Sequence, residues 1–406
     1  MNLLPKALFL CAAVLLSSPS AEALEFLYKF NAGDKYRILS TVHHDILVNR
    51  QLSYRSEIVN RIAVEVKDVV DGKGSLAATF QSAERTVTVL AGGFMGEAAG
   101  FQWEKDYHSE FLQDELGYVT VDARYFKPMV RDVPVFPGRE LSIGDRWTSP
   151  GIVVHDFRDG LGIEEPFTIP FTALYTYVGE RTWKGKNYPA FLVSIQYMIR
   201  PPAIRDRVYL RRIEGSTDQT IYWDIEAGQV AAYEERFKTI LELSDGEIWE
   251  YRGMAEAEVV ESLPMNREAM LADIAADLAT IPDASARYTD EGIVISLENI
   301  QFSPDSAVLL PGEGRKLDAI SGILKKYPDR DILVGGHTAL AGTAESRATL
   351  SLQRAQVVAD HLLSEGVRTP ERMVIRGYGA EQPLADNRTE AGMRQNRRVE
   401  IIILEN

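Results

Sequence analysis

The chain has 406 residues, 45% of them apolar and 25% charged, with a formal net charge of −15 at neutral pH. That length accommodates two or three domains, and the composition is that of an ordinary globular protein. The acidic balance argues against nucleic acid or an anionic membrane surface as a general partner, because the summed field repels polyanions.

The first 23 residues, MNLLPKALFLCAAVLLSSPSAEA, do not read as part of the fold. Lys6 precedes an apolar run from Ala7 to Leu16, and small residues lead to Ala21-Glu22-Ala23. This is the pattern of a secretory signal peptide with an A-x-A cleavage site, and it predicts export and a mature chain starting at Leu24. A membrane anchor is the alternative, but the run is too short to span a bilayer. Cys11 is the single cysteine of the chain. The mature protein would therefore be held together by its cores without disulfides.

Residues 24–262 read as a β-rich antiparallel module. In IVNRIAVEVKDVV the apolar Ile58, Ile62, Val64 and Val66 alternate with Arg61, Glu65 and Lys67, and Asp71-Gly72 then turns the chain. Further on, Tyr233, Phe237, Leu241 and Leu243 alternate with Glu234, Arg236, Lys238 and Glu242 before a turn at Asp245-Gly246. These are hairpins with one dry and one wet face. The strands read as about a dozen residues long, and strands of that length tend to curl into a curved sheet or half-barrel. Pro128, Pro134 and Pro137 suggest a break near 128–138, dividing the module into two sub-domains. His43 and His44 alternate across a strand and cannot share one site, which argues against a metal.

Residues 263–285 read as a helical linker, with Met270, Leu271, Ile274 and Leu278 at helical spacing between Pro264 and Pro282. From Gly292 the pattern is β-α-β-α-β-β, an α/β domain assigned to residues 286–406. Its helices run from Pro311 to Tyr327 and from about Ala344 to Glu365, the second closed by Gly366.

The stretches IQFSPDSAVLLPGEGRKL, GGHTALAG, LSLQRAQVVADHLLSEGV and IRGYGAEQPLADNRTEAGMRQNRRVEI occur in this domain in that order. Together they closely resemble the OmpA-like C-terminal domain, the peptidoglycan-binding module of many diderm envelope proteins. The resemblance implies that a loop aspartate takes the ammonium group of a stem-peptide diamino acid, and that an arginine fifteen residues later takes its carboxylate. One anion and one cation at fixed separation suit a zwitterionic end. The arginine is present as Arg354, but Ala339 stands where the aspartate is expected, and Arg347 where the family usually has Asn. Around them the candidate ligand-binding set is His337, Thr338 and Arg397.

The residues also speak without the family. Leu350, Arg354, Val357, Val358 and His361 share one helical stripe, so Arg354 needs either an internal partner or a ligand anion. His337 reads as a structural histidine of the turn. Arg397 and Arg398 divide between ion pairing and a pocket wall. No nucleophile motif, phosphate loop or metal spacing occurs, and no cofactor is expected. The whole reads as a non-catalytic envelope protein, exported and periplasmic or outer-membrane-associated, that contacts peptidoglycan weakly or with altered specificity. The alternatives are an interaction protein that has lost wall binding, its β-rich module binding an envelope protein or lipid, and an integral outer-membrane β-barrel.

Overall fold

The structure, a computed structural model, describes residues 23–88, 101–103, 106–155, 157, 166–203, 208–261, 266–289, 291–298, 300, 302–303 and 306–404. The leader read at 1–23 lies outside them except for Ala23.

Thirteen strands form one sheet: β1 (Lys35–Val48), β2 (Gln51–Val70), β3 (Lys73–Thr88), β4 (Gln102–Trp103), β5 (Tyr107–Gln113), β6 (Val119–Val121), β7 (Val130–Arg131), β8 (Arg146–His155), β9 (Phe167–Trp183), β10 (Lys186–Ile199), β11 (Leu210–Asp224), β12 (Gln229–Leu243) and β13 (Ile248–Glu261). The path runs β6-β5-β3-β2-β1-β13-β12-β11-β10-β9-β8-β7, with β4 set beside β3. Every pairing is antiparallel. The long strands span 14 to 20 residues, longer than expected. The strands before and after the proline-rich segment at 128–138 belong to one sheet, joined through the pairing of β1 with β13. The ends of the path approach each other: the Val119 amide donates to Asp132 Oδ1 at 2.7 Å, and the Phe136 amide to the Leu116 carbonyl at 2.9 Å.

The alternation seen in the sequence sets the two faces. On β9, Ile169, Phe171, Ala173, Tyr175 and Tyr177 are buried while Thr168, Pro170, Thr172 and Leu174 face out. On β12, Glu234, Arg236 and Lys238 are exposed. The curl closes over an aromatic plug in which Phe136 meets Phe26, Phe191 and Trp223 at centroid distances of 5.6, 5.3 and 4.7 Å. Edge-to-face and offset aromatic packing of this kind adds to the stabilisation from buried area.

The C-terminal domain comprises α1 (Arg267–Leu278), β14 (Ala284–Thr289), β15 (Gly292–Glu298), α2 (Glu313–Leu324), β16 (Ile332–Gly336), α3 (Ala344–Ser364), β17 (Met373–Gly377), α4 (Glu390–Asn396) and β18 (Arg398–Leu404). Its sheet order is β14-β15-β18-β16-β17, and among the described residues only β16 and β17 run parallel. The helix read as a linker contributes Ile274 and Leu278 to the domain core, alongside Leu317, Ile320, Ala355, Val358 and the inner face of the sheet. The strand β14, within the span read as linker and domain start, is a hairpin partner of β15. The short α4, which follows no long apolar period, was not legible as a helix.

The sheet's second face is also apolar. Val294, Leu333, Val374 and Ile402 are buried there, with Trp103 of the large sheet packed against them. Trp103 also touches Val59, Ala83 and Phe101. The domain is therefore docked on the outer face of β2 and β3. At the centre of this contact is Asp331, fully buried at 0% exposure. Its Oδ2 accepts from the Arg37 guanidinium, and from Arg61 Nη2 at 2.5 Å and Nε at 3.1 Å. Oδ1 accepts from Arg372 Nε at 2.9 Å. Arg61, placed by its pattern on the wet face of β2, is buried, because the second domain covers that face and supplies the counter-charge. Burial opposes ionisation of Asp331, but the Arg61 and Arg37 guanidiniums outweigh it and hold its pKa below the ordinary range. A second pair, Arg376 with Asp106, lies on the same contact.

Candidate functional site

The loop of interest leaves the C-terminal end of β16, and glycines let α3 lie close to it. A Cβ on Gly336 would fall 1.9 Å from the Ser351 carbonyl oxygen, and one on Gly377 2.6 Å from the Leu352 amide. Backbone bonds then pin the loop: the His337 amide donates to the Arg398 carbonyl at 2.9 Å and the Thr338 amide to the Gly379 carbonyl at 2.7 Å. The Gly379 amide in turn donates to Ser351 Oγ at 2.9 Å.

His337 is buried at 1% exposure, stacked on the Tyr378 ring at 5.0 Å, with Nε2 3.5 Å from Glu400 Oε2. Glu400 also accepts from Arg398 Nε at 2.9 Å and Arg287 Nη2 at 3.0 Å. Burial works against ionised Glu400, yet His337 and Arg398 overcome it and bring its pKa down to about 2. Burial, helped by Arg398, lowers the His337 pKa, so a neutral imidazole faces an ionised carboxylate. Both residues sit beneath the loop, as a support for it. Thr338 is likewise buried.

Ala339 is 5% exposed, and the next residue, Leu340, is 61% exposed. The Leu340 amide donates to Asn387 Oδ1 at 3.1 Å, and Asn387 is held by Asn396 Nδ2 at 2.9 Å. Asn396 also accepts from the Leu384 and Ala385 amides at 2.7 and 3.0 Å, stapling two loops together. In the sequence it stands among Arg394, Gln395, Arg397 and Arg398, so its polarity did not single it out for this role.

Thr343 caps α3, its Oγ1 accepting from the Ser346 amide at 3.1 Å. Arg347 turns back on its own loop, Nη1 donating to the Gly342 carbonyl at 2.6 Å. Arg354 lies two turns on, about 10 Å along the helix axis. Its Nε donates to the Ser306 carbonyl at 3.1 Å, and its guanidinium lies 4.9 Å from the Phe302 ring centroid. Arg397 leans away to Glu390 Oε1 at 3.3 Å. The fold thus sets Ala339 at the loop and Arg354 on the neighbouring helix, and gives each guanidinium a different anchor. The side chain of Glu345 is exposed and, among the described residues, makes no hydrogen bond or ion pair. Nothing therefore directs its carboxylate into the position an aspartate would fill. As the alternation requires, His44 faces inward against Phe237 and Tyr251, whereas the neighbouring His43 is exposed.

Residues 301–397 match the family model described as the OmpA family. The C-terminal domain is an OmpA-family domain. Among curated relatives, the probable lipoprotein YiaD of Escherichia coli is 35% identical over 120 residues, covering 29% of this chain and 54% of the relative. The peptidoglycan-binding protein ArfA of Mycobacterium tuberculosis is 36% identical over 104 residues, 26% of this chain and 32% of its own. The peptidoglycan-associated lipoprotein of Pseudomonas aeruginosa is 34% identical over 113 residues, 28% of this chain and 66% of its own. The chain thus spans between about a third and two thirds of the length of these relatives. All three matches are of a length that the OmpA-family domain accounts for.

Proposed function

We propose that this is a non-catalytic cell-envelope protein whose OmpA-family domain contacts peptidoglycan weakly or with altered specificity. One observation supports the reading: Ala339, where the resemblance expects the ligand-binding aspartate, is a nearly buried methyl group, while Arg354 remains on the adjoining helix. A hydrogen bond to a charged group contributes about 1.5–3 kcal/mol. Its loss corresponds to roughly 10- to 150-fold in affinity. Arg347 adds a second cation on the same helix face, which disfavours a ligand ammonium. The names of ArfA and the peptidoglycan-associated lipoprotein support the wall as the partner.

The alternative, an interaction protein that no longer binds the wall, is supported by the apolar cavity inside the β-rich module. The integral-barrel reading is disfavoured by the charged outward positions Glu234, Arg236 and Lys238 on β12. Export to the periplasm or outer membrane is part of this reading, supported by the leader-like pattern at 1–23.

A pull-down with purified diaminopimelate-type sacculi tests the main reading. Ala339→Asp should increase the bound fraction, and Ala339→Asp with Arg347→Asn should increase it further. Tight binding by the unmodified chain, unchanged by Ala339→Asp and lost in Glu345→Ala, would refute it.

A further inference from the structure

Inside the curl of the large sheet is a cavity of about 410 Å3. Strands β1 to β3 form one wall and β11 to β13 the other, while residues 127–134 cross between them. Ligand pockets run from about 300 to 1,000 Å3, so this one has room for a single chain or a small ring system.

The lining is mostly apolar: Ile62, Phe80 and Phe111 come from one side, Ile221 and Val259 from the other, and Met129 from the crossing segment. Set into this surface are the carboxylates of Glu235 and Asp132 and the ammonium of Lys127, while the carboxylate of a third acidic lining residue, Glu258, is turned to Lys184 Nζ at 2.7 Å. Glu235 accepts from Thr217 Oγ1 at 2.5 Å, and Asp132 from the Val119 amide at 2.7 Å. Lys127 Nζ lies 4.8 Å from the Tyr107 ring centroid, with Phe80 and Phe126 around it. Neither Glu235 nor Asp132 has an ion-pair partner among the described residues at salt-bridge distance. Burial raises the pKa of both, the mark of carboxylates held in an apolar surrounding. Core packing alone does not call for a carboxylate at position 235, since burying one costs free energy that an apolar side chain there would not.

We propose that this cavity binds a single-chain amphiphile whose head donates hydrogen bonds, an amine in preference to an alcohol, and that it discriminates against a carboxylate. The apolar walls take the chain, and the excess of carboxylate over ammonium in the lining selects the head by charge. The inference does not rest on wall contact.

The test uses the full mature chain and the uncharged fluorophore N-phenyl-1-naphthylamine, whose emission rises in apolar surroundings. Emission should increase and saturate at one equivalent. Dodecylamine should displace the probe at a concentration roughly tenfold below that needed for dodecanoate, the scale of one charge-assisted hydrogen bond, with dodecanol between them. Glu235→Gln should remove most of that preference while retaining probe binding. Ala78→Phe, which fills the cavity from β3, should abolish probe binding; Val259→Phe does the same from the opposite wall if the first variant does not fold, with near-ultraviolet circular dichroism as the check. Absence of saturable emission, equal displacement by dodecanoate and dodecylamine, or an unchanged preference in Glu235→Gln would overturn the proposal.

Discussion

Replacing Asp331 by Asn removes one negative charge and keeps the shape of the side chain. The carboxylate is closed to solvent, and Arg37 and Arg61, also buried, are supplied by the other domain. Arg372 is a quarter exposed and can turn to water, so its contribution is small. The substitution therefore leaves two desolvated guanidiniums without a counter-charge. Breaking a buried ion pair from one side costs about 3–5 kcal/mol, chiefly because the remaining charge is stranded. With two stranded charges, the upper end of that range is expected for Asp331→Asn. Urea unfolding of the full chain, followed by tryptophan emission and far-ultraviolet circular dichroism, measures the loss. Adding Arg61→Met to Asp331→Asn should recover part of the stability, giving a coupling energy well outside the few tenths of a kcal/mol seen for independent sites. The triple replacement Arg37→Met, Arg61→Met, Asp331→Leu should come out close to the parent, because packed apolar groups of similar volume often equal a buried ion cluster. A stability change below about 0.5 kcal/mol for Asp331→Asn, the range of ordinary surface substitutions, would refute the view that this cluster locks the domains together.

Three further outcomes are expected. Asp331 and Glu400 both have depressed folded-state pKa values, so their stabilisation is complete above their ordinary values and is lost as the pH falls through the folded ones. For Glu400 that window runs from 4.5 down to about 2, and acid titration of the unfolding free energy should fall by about 3 kcal/mol across it. An isolated domain beginning at residue 266 should be more stable than one beginning at 286, because the shorter piece loses Ile274 and Leu278 from its core. At about 1.5–3 kcal/mol per buried side chain the difference is several kcal/mol, readable in a thermal melt. Gly336→Ala should destabilise the domain by about 1–3 kcal/mol, since its methyl group meets the α3 backbone, and it should weaken any wall binding through displacement of the loop.

Local pattern carried much of this fold, and particular residues show where it stopped. The alternation in β2 and β12 and the turns at Asp71-Gly72 and Asp245-Gly246 appear where period-two reading put them. The spaced motifs after Gly292 were enough to recognise the OmpA-family domain. Arg37 and Arg61 were not legible as buried groups, because a charge on the wet side of a strand looks the same whether water or another domain covers it. Glu400 and Arg398 gave a clearer signal, two charges inside an otherwise apolar terminal strand, and they prove to brace His337 from beneath. In the candidate site, only the family resemblance related Ala339 to Arg354. The anchors that orient the guanidiniums, the carbonyls of Ser306 and Gly342, belong to the backbone and leave no trace in side-chain type.

The position of β1 has a consequence for how the chain reaches this state. It pairs with β2 on one side, but its other neighbour is β13, with Tyr36 opposite Glu261. Closing a loop of roughly 200 residues costs on the order of 5 kcal/mol in chain entropy before any contact repays it. During synthesis or translocation from the N-terminus, the β1–β2–β3 meander can form early, but one edge of β1 stays unpaired until residue 261 has emerged. Open edges of long strands are where polypeptides associate wrongly. The docking arginines lie on that same early meander, while Asp331 arrives last. Slow, high-contact-order refolding is therefore expected, with the central seam between β1 and β13 zipping late and the OmpA-family domain settling onto the sheet only after it has done so.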